Sequence, residues 1–350
     1  MVGDELRRLS IRDATVHHGG VGCSLTPGQL GLVHLHSRLA TRVLIRISRF
    51  PAISFRDLEA GLRAIDWSAW LPDVAAIEVK AACSGSKLFH EGAVEERVNT
   101  ALVTRNGEGP QQRIYVRLQH DVATVSIDAT GDGLHKRGWR QAIDQAPLRE
   151  TLAAALLMVS GWDRKSPLLD PFCGSGTIAI EAALMARKVA PGRHREFAFH
   201  SWPRVDEVKW DRLVVAADAD VIDRAVRIVG SDSAVRAIDA ARSNAERAGV
   251  ADTIEFACRT AADVPPLSTK GWLVTNPPYG ERVGGAVTAW QQLAALINRS
   301  PGWRGAVVAP LKLVSTQLRS ANPAPPTARV DTANGGIRVQ LTPFDGVTAS

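Results

Sequence analysis

The chain has 350 residues, which is longer than a domain with a single hydrophobic core usually is, so two or more domains are expected. An apolar share of 45% with 22% charged residues is typical of a globular protein and excludes a disordered or fibrous one. The formal net charge of +6 favours a polyanionic partner without proving one.

The four cysteines, Cys23, Cys83, Cys173 and Cys258, lie far apart and form no C-x-x-C pair. This spacing predicts neither a metal site nor a disulfide framework, and it fits a cytoplasmic protein. The longest apolar stretches are much shorter than the roughly 20 residues that span a bilayer, and the N-terminus has no apolar signal core. We therefore expect no membrane segment and no export.

Hydrophobic periodicity in the first half predicts a mixture of strands and helices without long parallel β-α-β spacing. A polar, glycine-containing stretch at residues 106–112 is typical of a loop. The predicted strands and helices cover residues 41–48, 55–65, 75–81, 92–102, 113–118 and 123–127.

The second half alternates strands and helices, which predicts a doubly wound, mostly parallel sheet. The domain boundary is expected near residues 140–150, and residues 322–326 form a proline-rich connection. Asn-Gly-Gly at residues 334–336 predicts a closing hairpin between strands at 327–330 and 337–341. The other predicted elements cover residues 148–159, 167–169, 177–188, 225–230, 234–248, 253–257, 272–275, 287–298 and 305–309.

The motif D-P-F-C-G-S-G-T occupies residues 170–177, directly after an apolar strand and directly before a helix. Gly174 and Gly176 would let the backbone approach a ligand, and the helix N-terminus offers unpaired N–H groups. A nucleotide-type site and a tight strand-to-helix turn both fit this pattern. No Lys-Ser/Thr pair follows the glycines, which excludes a phosphate-binding Walker loop.

Asp232 is the next acidic residue at the end of a predicted strand, in V-G-S-D. Its distance from the glycines greatly exceeds the roughly 20 residues expected of a dinucleotide-binding fold. Its carboxylate is placed to accept hydrogen bonds from ribose hydroxyls or to cap the helix that follows, and both roles remain open.

The motif N-P-P-Y-G begins at Asn276, directly after the apolar strand 272–275, at the ligand-binding edge of the predicted sheet. The Asn276 side-chain oxygen and the Pro277 carbonyl would converge as two acceptors without a competing donor. Two acceptors on an aromatic amine favour a pyramidal nitrogen, whose lone pair is then available to attack a methyl donor. Tyr279 offers a ring on which an extruded base can stack.

These two loops resemble the signatures of class I methyltransferases that act on exocyclic amines. More closely, the chain resembles the THUMP-containing bacterial RNA guanine-N2 methyltransferases over nearly its whole length. The resemblance is carried by A-I-D-W, S-K-L-F-H, L-H-K-R-G-W-R, A-P-L-R-E-T-L-A-A-A-L-L, F-A-F-H-S-W-P, N-A-E-R-A-G-V, N-P-P-Y-G-E-R and N-G-G-I, together with the glycine loop.

The resemblance implies an α/β protein with an N-terminal α+β ferredoxin-like and THUMP region. A Rossmann-like class I methyltransferase domain with a mostly parallel seven-stranded sheet would follow. The implied domains are a partial ferredoxin-like region at 1–60, a THUMP-like RNA-binding domain at 61–140 and the methyltransferase domain at 141–350. The ferredoxin-like region is shorter than the family's, so it is expected to be trimmed or to begin before Met1.

The resemblance also implies S-adenosylmethionine as the cofactor, no metal, and two groups of site residues. Glu181 in the helix after the glycine loop would either contact the cofactor or stabilise the helix. The implied catalytic residues are Asn276, Pro277, Pro278 and Tyr279. The implied cofactor-binding residues are Asp170, Pro171, Phe172, Cys173, Gly174, Ser175, Gly176, Thr177, Asp232, Asp263 and Asn276.

One departure concerns the acidic residue that the family carries beside the adenine, because Thr260 occupies that place. Either Asp263 substitutes for the missing carboxylate or the cofactor binds more weakly. A non-catalytic role remains open for the same reason.

RNA, ribosomal or transfer, is the implied partner, and the oligomeric state is open. Basic residues in family-like motifs are expected to neutralise phosphates, although an ordinary solvated surface fits each of them equally well. The candidates for RNA binding are Lys87, Lys136, Arg137 and Arg140.

The expected reaction is methyl transfer to the exocyclic N2 amine of a guanosine, with 23S rRNA as the first choice of substrate. Three alternatives stay open: the same reaction on transfer RNA, amine methylation of DNA adenine N6 or cytosine N4, and a non-catalytic RNA-binding factor.

Overall fold

The computed structural model describes residues 1–17, 19–141, 148–223, 226–265, 270–279, 286–310, 329–334 and 336–345. The chain divides into two compact units. The N-terminal unit comprises Leu6–Leu134 and His194–Val214. The C-terminal unit comprises Met1–Glu5, His135–Arg193 and Val215–Ser350. The domain boundaries expected at 60/61 and 140/141 remain predictions.

The first part of the chain alternates helices and strands, and sequence periodicity misses its first two helices. α3 begins at a capping box in which the Asp57 amide donates to the Ser54 hydroxyl and the Asp57 carboxylate accepts from the Ser54 amide. The elements are α1 (Val2–Arg8), β1 (Thr15–His17), β2 (Gly20–Gly22), α2 (Pro27–His36), β3 (Leu44–Pro51), α3 (Phe55–Arg63), β4 (Ala75–Ser84), α4 (Glu91–Ala101), β5 (Asn106–Gln119) and β6 (Val122–Asp128).

The N-terminal unit contains a four-stranded sheet with the order β3-β6-β5-β4. β4 and β5 are parallel and are connected through α4, so the expectation that this half lacks a parallel β-α-β unit is wrong. The loop predicted at residues 106–112 is also wrong, because β5 already begins at Asn106. The register of β4 and β5 shifts between Ala75 and Ala76, and the exposed β5 residues 106–111 spanned by this shift include two glycines and a proline, which explains the loop-like sequence.

A segment far along the chain completes the core of the N-terminal unit. Phe197, Phe199 and Trp202 are buried in the same hydrophobic cluster as the sheet and the helices α3 and α4. The Trp202 indole donates a 2.8 Å hydrogen bond to the side-chain oxygen of the buried Gln112. The insertion F-A-F-H-S-W-P therefore packs as part of this unit, although it lies between elements of the other one.

The remaining elements agree with the predicted ones to within a few residues, except for α7, which was not predicted. They are α5 (Glu150–Val159), β7 (Leu168–Asp170), α6 (Thr177–Ala186), α7 (Glu207–Ala219), β8 (Ile228–Asp232), α8 (Val235–Arg247), β9 (Ile254–Cys258), β10 (Trp272–Thr275), α9 (Ala286–Asn298), β11 (Arg304–Ala309), β12 (Val330–Asn334) and β13 (Ile337–Asp345).

The C-terminal unit contains a seven-stranded sheet with the order β12-β13-β11-β10-β7-β8-β9. The five strands from β7 to β11 pair in parallel, whereas β13 runs antiparallel to both β11 and β12. This architecture confirms the predicted Rossmann-like fold with a mostly parallel seven-stranded sheet.

The predicted closing hairpin is confirmed by the pairing of Asn334 with Ile337 between β12 and β13. Gly336 has φ of 85°, a left-handed conformation that glycine adopts without strain. Gly335, the proline-rich connection at 322–326 and the start of the strand predicted at 327–330 lie outside the described residues.

Three polar residues stand at the carboxyl ends of neighbouring parallel strands. Asp170 ends β7, Asp232 ends β8 on one side, and Thr275 ends β10 on the other. The carboxyl ends of parallel strands form the edge at which open α/β sheets bind ligands. The fold therefore brings the glycine loop, Asp232 and the N-P-P-Y loop to one edge of the sheet.

Candidate active site

The glycine loop turns sharply from β7 into α6. Gly176, the N-cap of α6, has φ of 86°, and a Cβ there would lie 3.1 Å from the Cβ of Ala241 and 3.2 Å from the ring of Phe256. Gly174 has φ of 51°, and the direction of its missing Cβ is open space. Gly176 therefore permits the turn itself, whereas Gly174 leaves room in which a ligand can approach the backbone.

The Asp170 carboxyl group is buried at the end of β7, with an exposed fraction of 1%. Its Oδ1 accepts hydrogen bonds from the Thr275 hydroxyl at 2.6 Å and from the Phe172 amide at 3.3 Å. Its Oδ2 is buried and has no partner among the described residues. Burial raises the pKa of Asp170 to about 7; the charge of Asp232 adds to this effect and the two hydrogen bonds oppose it.

An unpaired buried acceptor is costly for a folded protein, so the free oxygen of Asp170 calls for a donor from a ligand. A cationic amino group would satisfy it and would also favour the ionised carboxylate. The amino-acid end of S-adenosylmethionine carries such a cationic amino group, and the open space at Gly174 leaves room for it.

The Asp232 carboxylate accepts two backbone hydrogen bonds, one from the glycine loop and one at the start of α8, while its contact with ribose hydroxyls stays a prediction. One carboxylate oxygen accepts a 3.0 Å hydrogen bond from the Gly174 amide, and the other accepts one of 3.0 Å from the Ala234 amide at the start of α8. The carboxylate thus ties the glycine loop to the end of β8. It is half-buried, so part of it can still accept hydrogen bonds from ligand hydroxyls.

The other residues of the glycine loop set its shape. Phe172 packs against the core cluster of this unit, and the buried Cys173 donates its amide to the Ser231 carbonyl at 2.9 Å. Pro171 is buried, and so are Ser175 and Thr177, the last at the first position of α6. The Ser175 carbonyl accepts a hydrogen bond from the buried Asn244 side chain at 3.1 Å. These contacts indicate a rigid loop that offers mainly its backbone to a ligand.

Asp263 lies close to the position where the family's acidic residue is missing. The Thr260 hydroxyl donates a 2.6 Å hydrogen bond to the carboxylate of the exposed Asp263, across the short 3-10 turn after β9. Arg299, which sequence analysis did not single out, donates to the carbonyls of Ala261 and Ala262 at 2.8 and 2.7 Å. A carboxylate is therefore available beside Thr260, on a turn that Arg299 holds.

The N-P-P-Y loop begins where β10 ends. The Oδ1 of Asn276 is buried and has no hydrogen-bond partner among the described residues, and Pro277 is buried beside it. The Pro278 carbonyl accepts a 3.1 Å hydrogen bond from the Trp290 indole on α9. The loop is thus anchored to α9, while the Asn276 acceptor is left for a ligand.

Tyr279 completes the described part of this loop, and Gly280 lies outside it. Its phenolic oxygen accepts a 2.8 Å hydrogen bond from the side-chain amide of Asn334, the last residue of β12. Burial raises the pKa of Tyr279, so the phenol is neutral at physiological pH. Asn334 was read from the sequence only as a turn residue, and its role here depends on a contact across 55 positions of the chain.

Thr275 connects the two loops. It is the last residue of β10, precedes Asn276 directly and donates its hydroxyl hydrogen bond to Asp170 of the glycine loop. Because β10 and β7 are paired neighbours, this contact fixes the distance between the two motifs. Thr275 stands outside the two sequence motifs, although its position beside Asn276 is a usable signal.

The four candidates for RNA binding lie in different environments. Lys87 is exposed in the N-terminal unit, and Lys136 is exposed in the C-terminal unit. Arg137, by contrast, is buried with Glu181, and their side chains form a 3.1 Å ion pair with exposed fractions of 2% and 0%. The prediction that Arg137 contacts RNA is wrong, because this side chain has no surface to offer to a phosphate. Glu181 is likewise a structural partner of Arg137.

Arg140 braces the start of α6 instead of extending into solvent. Its guanidinium donates to Glu150, to the Leu148 carbonyl and to the Thr177 hydroxyl, each at 2.8 Å. Burial raises the pKa of Glu150, and the charge of Arg140 opposes this shift. With its Nε and one terminal nitrogen engaged and its side chain 11% exposed, Arg140 supports the glycine loop, and its prediction as an RNA contact is also wrong.

Neither a metal centre nor a membrane span is found in the part of the chain that the structure describes. No cluster of His, Cys, Asp and Glu there could hold a metal ion. No helix among the described residues has the length and apolar character to cross a bilayer.

Comparisons with known proteins agree with both units. The model of the RMKL-like methyltransferase domain matches residues 137–300, and that of the THUMP domain matches residues 52–128. The chain is 32% identical to SMU.472, assigned as a candidate methyltransferase and solved in complex with SAH, with a TM-score of 0.90 and coverage of 100% of this chain and 95% of that chain.

Two further solved structures are similar over almost the whole chain. A predicted N6-adenine-specific DNA methylase from Listeria monocytogenes is 31% identical, with a TM-score of 0.88 and coverage of 99% of this chain and 92% of that one. TrmN from Thermus thermophilus is 20% identical with a TM-score of 0.67 over 99% of this chain and 97% of that one, which shows a shared fold.

The fold, the paired loops at one sheet edge and these matches lead to one assignment. S-adenosylmethionine is the cofactor, and the predicted chemistry of methyl transfer is confirmed at that level. The chain belongs to the THUMP-containing class I S-adenosylmethionine-dependent methyltransferases.

Proposed function

We propose that this enzyme methylates the exocyclic N2 amine of a guanosine in RNA, with 23S rRNA as the first choice and transfer RNA as the alternative. The observation that carries the proposal is the buried, unpartnered Oδ1 of Asn276 directly after β10. A buried acceptor without a donor costs about 1–3 kcal/mol, and an N–H group of a bound base would remove this cost.

The proposed chemistry uses Asn276 and the carbonyl of Pro277 as acceptors for the two N–H bonds of the amine. The nitrogen lone pair of an aromatic amine is delocalised, and two such hydrogen bonds favour the pyramidal geometry that frees it. S-adenosylmethionine supplies the methyl group on a sulfonium centre when it is bound. The proton that the amine loses would stay hydrogen-bonded at Asn276 until water accepts it.

Tyr279 is proposed to hold the ring of the target base. The N2 amine of a guanine in a helix is not accessible to in-line attack, so the base must be extruded or unpaired. Stacking on an aromatic side chain contributes about 1–3 kcal/mol per base. The hydrogen bond from Asn334 fixes the orientation of this ring before the base arrives.

The glycine loop is proposed to receive the cofactor at the open backbone of Gly174, while Gly176 shapes the turn. Asp170 would accept a hydrogen bond from the cofactor's amino group through its free Oδ2, and Asp232 would accept bonds from the ribose hydroxyls. Asp263, held by Thr260, would supply the carboxylate near the adenine. Lys87 and Lys136 remain proposed phosphate contacts.

The THUMP match supports RNA over DNA as the substrate, and the net charge of +6 fits a nucleic acid of either kind. The Listeria relative, named as a predicted N6-adenine-specific DNA methylase, supports a second candidate, in which the same loop methylates adenine N6 or cytosine N4 of DNA. A non-catalytic RNA-binding factor is a third candidate, because Thr260 replaces the family's acidic residue.

The test is transfer of labelled methyl groups from S-adenosylmethionine to RNA that lacks the modification, followed by nucleoside analysis of separated ribosomal and transfer RNA. The wild-type protein should yield labelled N2-methylguanosine. Asn276→Ala should reduce the rate by on the order of a hundredfold or more, because it removes an acceptor that acts on the reacting amine. Cofactor binding, measured by calorimetry, should persist in this variant.

Asn298→Ala is the matched control, since Asn298 is an exposed asparagine at the end of α9. It should keep wild-type activity. Label in adenosine or cytosine, or in DNA alone, would support the second candidate. Cofactor binding without methyl transfer to any nucleic acid would support the third.

A further inference from the structure

The four-stranded sheet of the N-terminal unit has one covered face and one open face. Side chains alternate along each strand, and those of Val79, Val116 and Val125 belong to the core that also contains α3 and α4 residues. Their neighbours Lys80 and Arg117 point to the opposite face and are exposed. This second face is therefore a solvent-facing sheet surface.

Strand register aligns the side chains of this open face in rows. One row runs across the four strands through Lys80, Tyr115, Ser126 and Arg46. The adjacent row runs through Ala82, Arg117, Thr124 and Arg49. With strands about 4.8 Å apart, each row is about 14 Å long.

The carboxylates of this face are already neutralised by neighbouring cations. Glu78 pairs with Lys80 at 3.2 Å and with Arg113 at 2.6 Å. The buried Asp128 pairs with Arg42 and lies 3.7 Å from Arg113.

Three cations remain on the face without a carboxylate. Arg46, Arg49 and Arg117 are exposed, and the structure gives them no ion pair with any described residue. Their charges are separated across the sheet by the small polar residues Ser126 and Thr124. The open face therefore carries uncompensated positive charge in two aligned rows.

We propose that this open face, defined by Lys80, Arg46, Arg49, Arg117 and Tyr115, binds a single-stranded segment of the RNA substrate. The arginines would contact successive phosphates, and Tyr115 would offer the edge or face of its ring to one base. The proposal rests on the proposed function, because it identifies where the substrate of the same reaction docks.

A single strand fits this surface better than a duplex. The bases of an A-form helix are paired and stacked, so a duplex would offer this face its phosphates and 2′-hydroxyls but no free base for Tyr115. An unpaired strand can lie flat on a sheet and turn its bases toward an aromatic ring. A methyltransferase that needs an accessible base would also act on unpaired RNA or next to it.

The test compares two triple variants of the full-length protein that lose the same charge. Arg46→Ala/Arg49→Ala/Arg117→Ala removes the unpaired cations of the open face. Arg56→Ala/Arg63→Ala/Arg204→Ala removes three exposed cations at α3 and beside Asp66, on the helix-covered side. Binding of a fluorescein-labelled oligouridylate and of a labelled RNA duplex of equal length is measured against salt concentration.

The first variant should bind the oligouridylate about tenfold more weakly or worse, with a salt slope shallower by about 2, because three phosphate contacts are lost. The control triple should keep the wild-type slope. Arg46→Lys/Arg49→Lys/Arg117→Lys should keep most of the affinity, since lysine still pairs with a phosphate as a point charge. Melting curves identify any variant that fails to fold.

Equal oligouridylate binding and equal salt slopes for the two alanine triples would overturn the proposal. A loss confined to duplex binding would also overturn it, because the face would then dock paired RNA. A methyl-transfer assay distinguishes failure of this proposal from failure of the proposed function. If the wild-type protein transfers no methyl group but the two alanine triples still differ in oligouridylate binding, the proposed reaction is rejected and the proposed binding surface is supported.

Discussion

The side-chain amide of Asn334 donates a 2.8 Å hydrogen bond to the phenolic oxygen of Tyr279. The bond joins the end of β12, in the antiparallel part of the sheet, to the loop that follows the parallel strand β10. A tyrosine ring that must receive an extruded base benefits from a fixed orientation, because less conformational entropy is then lost on binding. Asn334 is thus a positioning residue for the proposed base-stacking ring.

Removal of either end of this bond should slow methyl transfer by a similar factor. We expect Tyr279→Phe and Asn334→Ala each to reduce kcat about threefold to tenfold, the equivalent of one hydrogen bond. The double variant should be no slower than the slower single variant, because both changes delete the same interaction. The measurement is steady-state methyl transfer, which gives kcat, with the KM for S-adenosylmethionine expected to stay constant.

Asn298→Ala serves again as the control and should leave the rate unchanged. Multiplicative losses in the double variant would show that the two side chains act independently. Tyr279→Ala, which also removes the ring, should lose an additional factor from base stacking.

Much of the fold and the position of the site could be predicted from local sequence. β10 was predicted with its observed bounds, because a short apolar run is followed there by Asn-Pro-Pro, which cannot continue a strand ladder. α6 was predicted to begin at Thr177, because the glycine-rich turn ends there and a long apolar run follows. α2 was missed, since its ten residues include two glycines and a proline that weaken any helical pattern.

The side-chain contacts of the site were less predictable, because they connect distant positions. Thr275 and Asp170 are 105 residues apart, and neither local sequence pattern predicts their hydrogen bond. Arg137 lies in a basic motif that is typical of a solvated surface, yet its carboxylate partner is 44 residues away on a fully buried helix. One-dimensional charge patterns indicate which residues are charged and leave their burial undetermined.

The buried Asp170 should make the cofactor-free protein less stable as pH rises. Its pKa is raised from 3.8 to about 7 in the folded state, so between these values the folded protein holds a proton that the unfolded chain has lost. Stability should therefore fall from about pH 4 to about pH 7, by up to about 4 kcal/mol from this group alone. Asp170→Asn, which cannot ionise, should show a flatter profile and a higher melting temperature at pH 8.

Thermal melting of the two proteins across this pH range tests the expectation, with Asp239→Asn on the exposed side of α8 as the control. The control should follow the wild type. Parallel curves for Asp170→Asn and the wild type would contradict a raised pKa. Asp170→Asn should also bind S-adenosylmethionine more weakly, because the proposed partner of its amino group is then neutral.

His34 should give the N-terminal unit the opposite dependence on pH. Burial lowers its pKa from 6.5 to about 4, although the hydrogen bond to the Leu30 carbonyl partly opposes this shift. The folded state therefore keeps the ring neutral, and its stability is fully present above pH 6.5. As pH falls from about 6.5 to about 4, up to about 3 kcal/mol should be lost, because the unfolded chain takes up a proton first.

Hydrogen exchange in peptides covering α2 reports this loss locally, which suits a chain with two units. The wild type should lose protection in α2 on acidification, whereas His34→Gln should show a weaker dependence on pH. His17→Gln, at an exposed position of β1, is the control and should behave as the wild type. A wild-type α2 whose protection is constant from pH 7 to about pH 5 would contradict the lowered pKa.

The buried pair of Arg137 and Glu181 should contribute to folding and not to RNA affinity. Arg137→Met alone leaves Glu181 buried without its ion-pair partner and should destabilise the protein by about 3–5 kcal/mol. Arg137→Met/Glu181→Leu removes both charges and should recover much of this loss, because apolar side chains of similar volume can pack in their place.

The double variant should then bind RNA with the wild-type affinity and salt slope. Lys87→Ala, at an exposed position, should weaken RNA binding and make the salt slope shallower. A double variant that melts normally yet shows a salt slope shallower by about 0.7 would restore Arg137 as a phosphate contact.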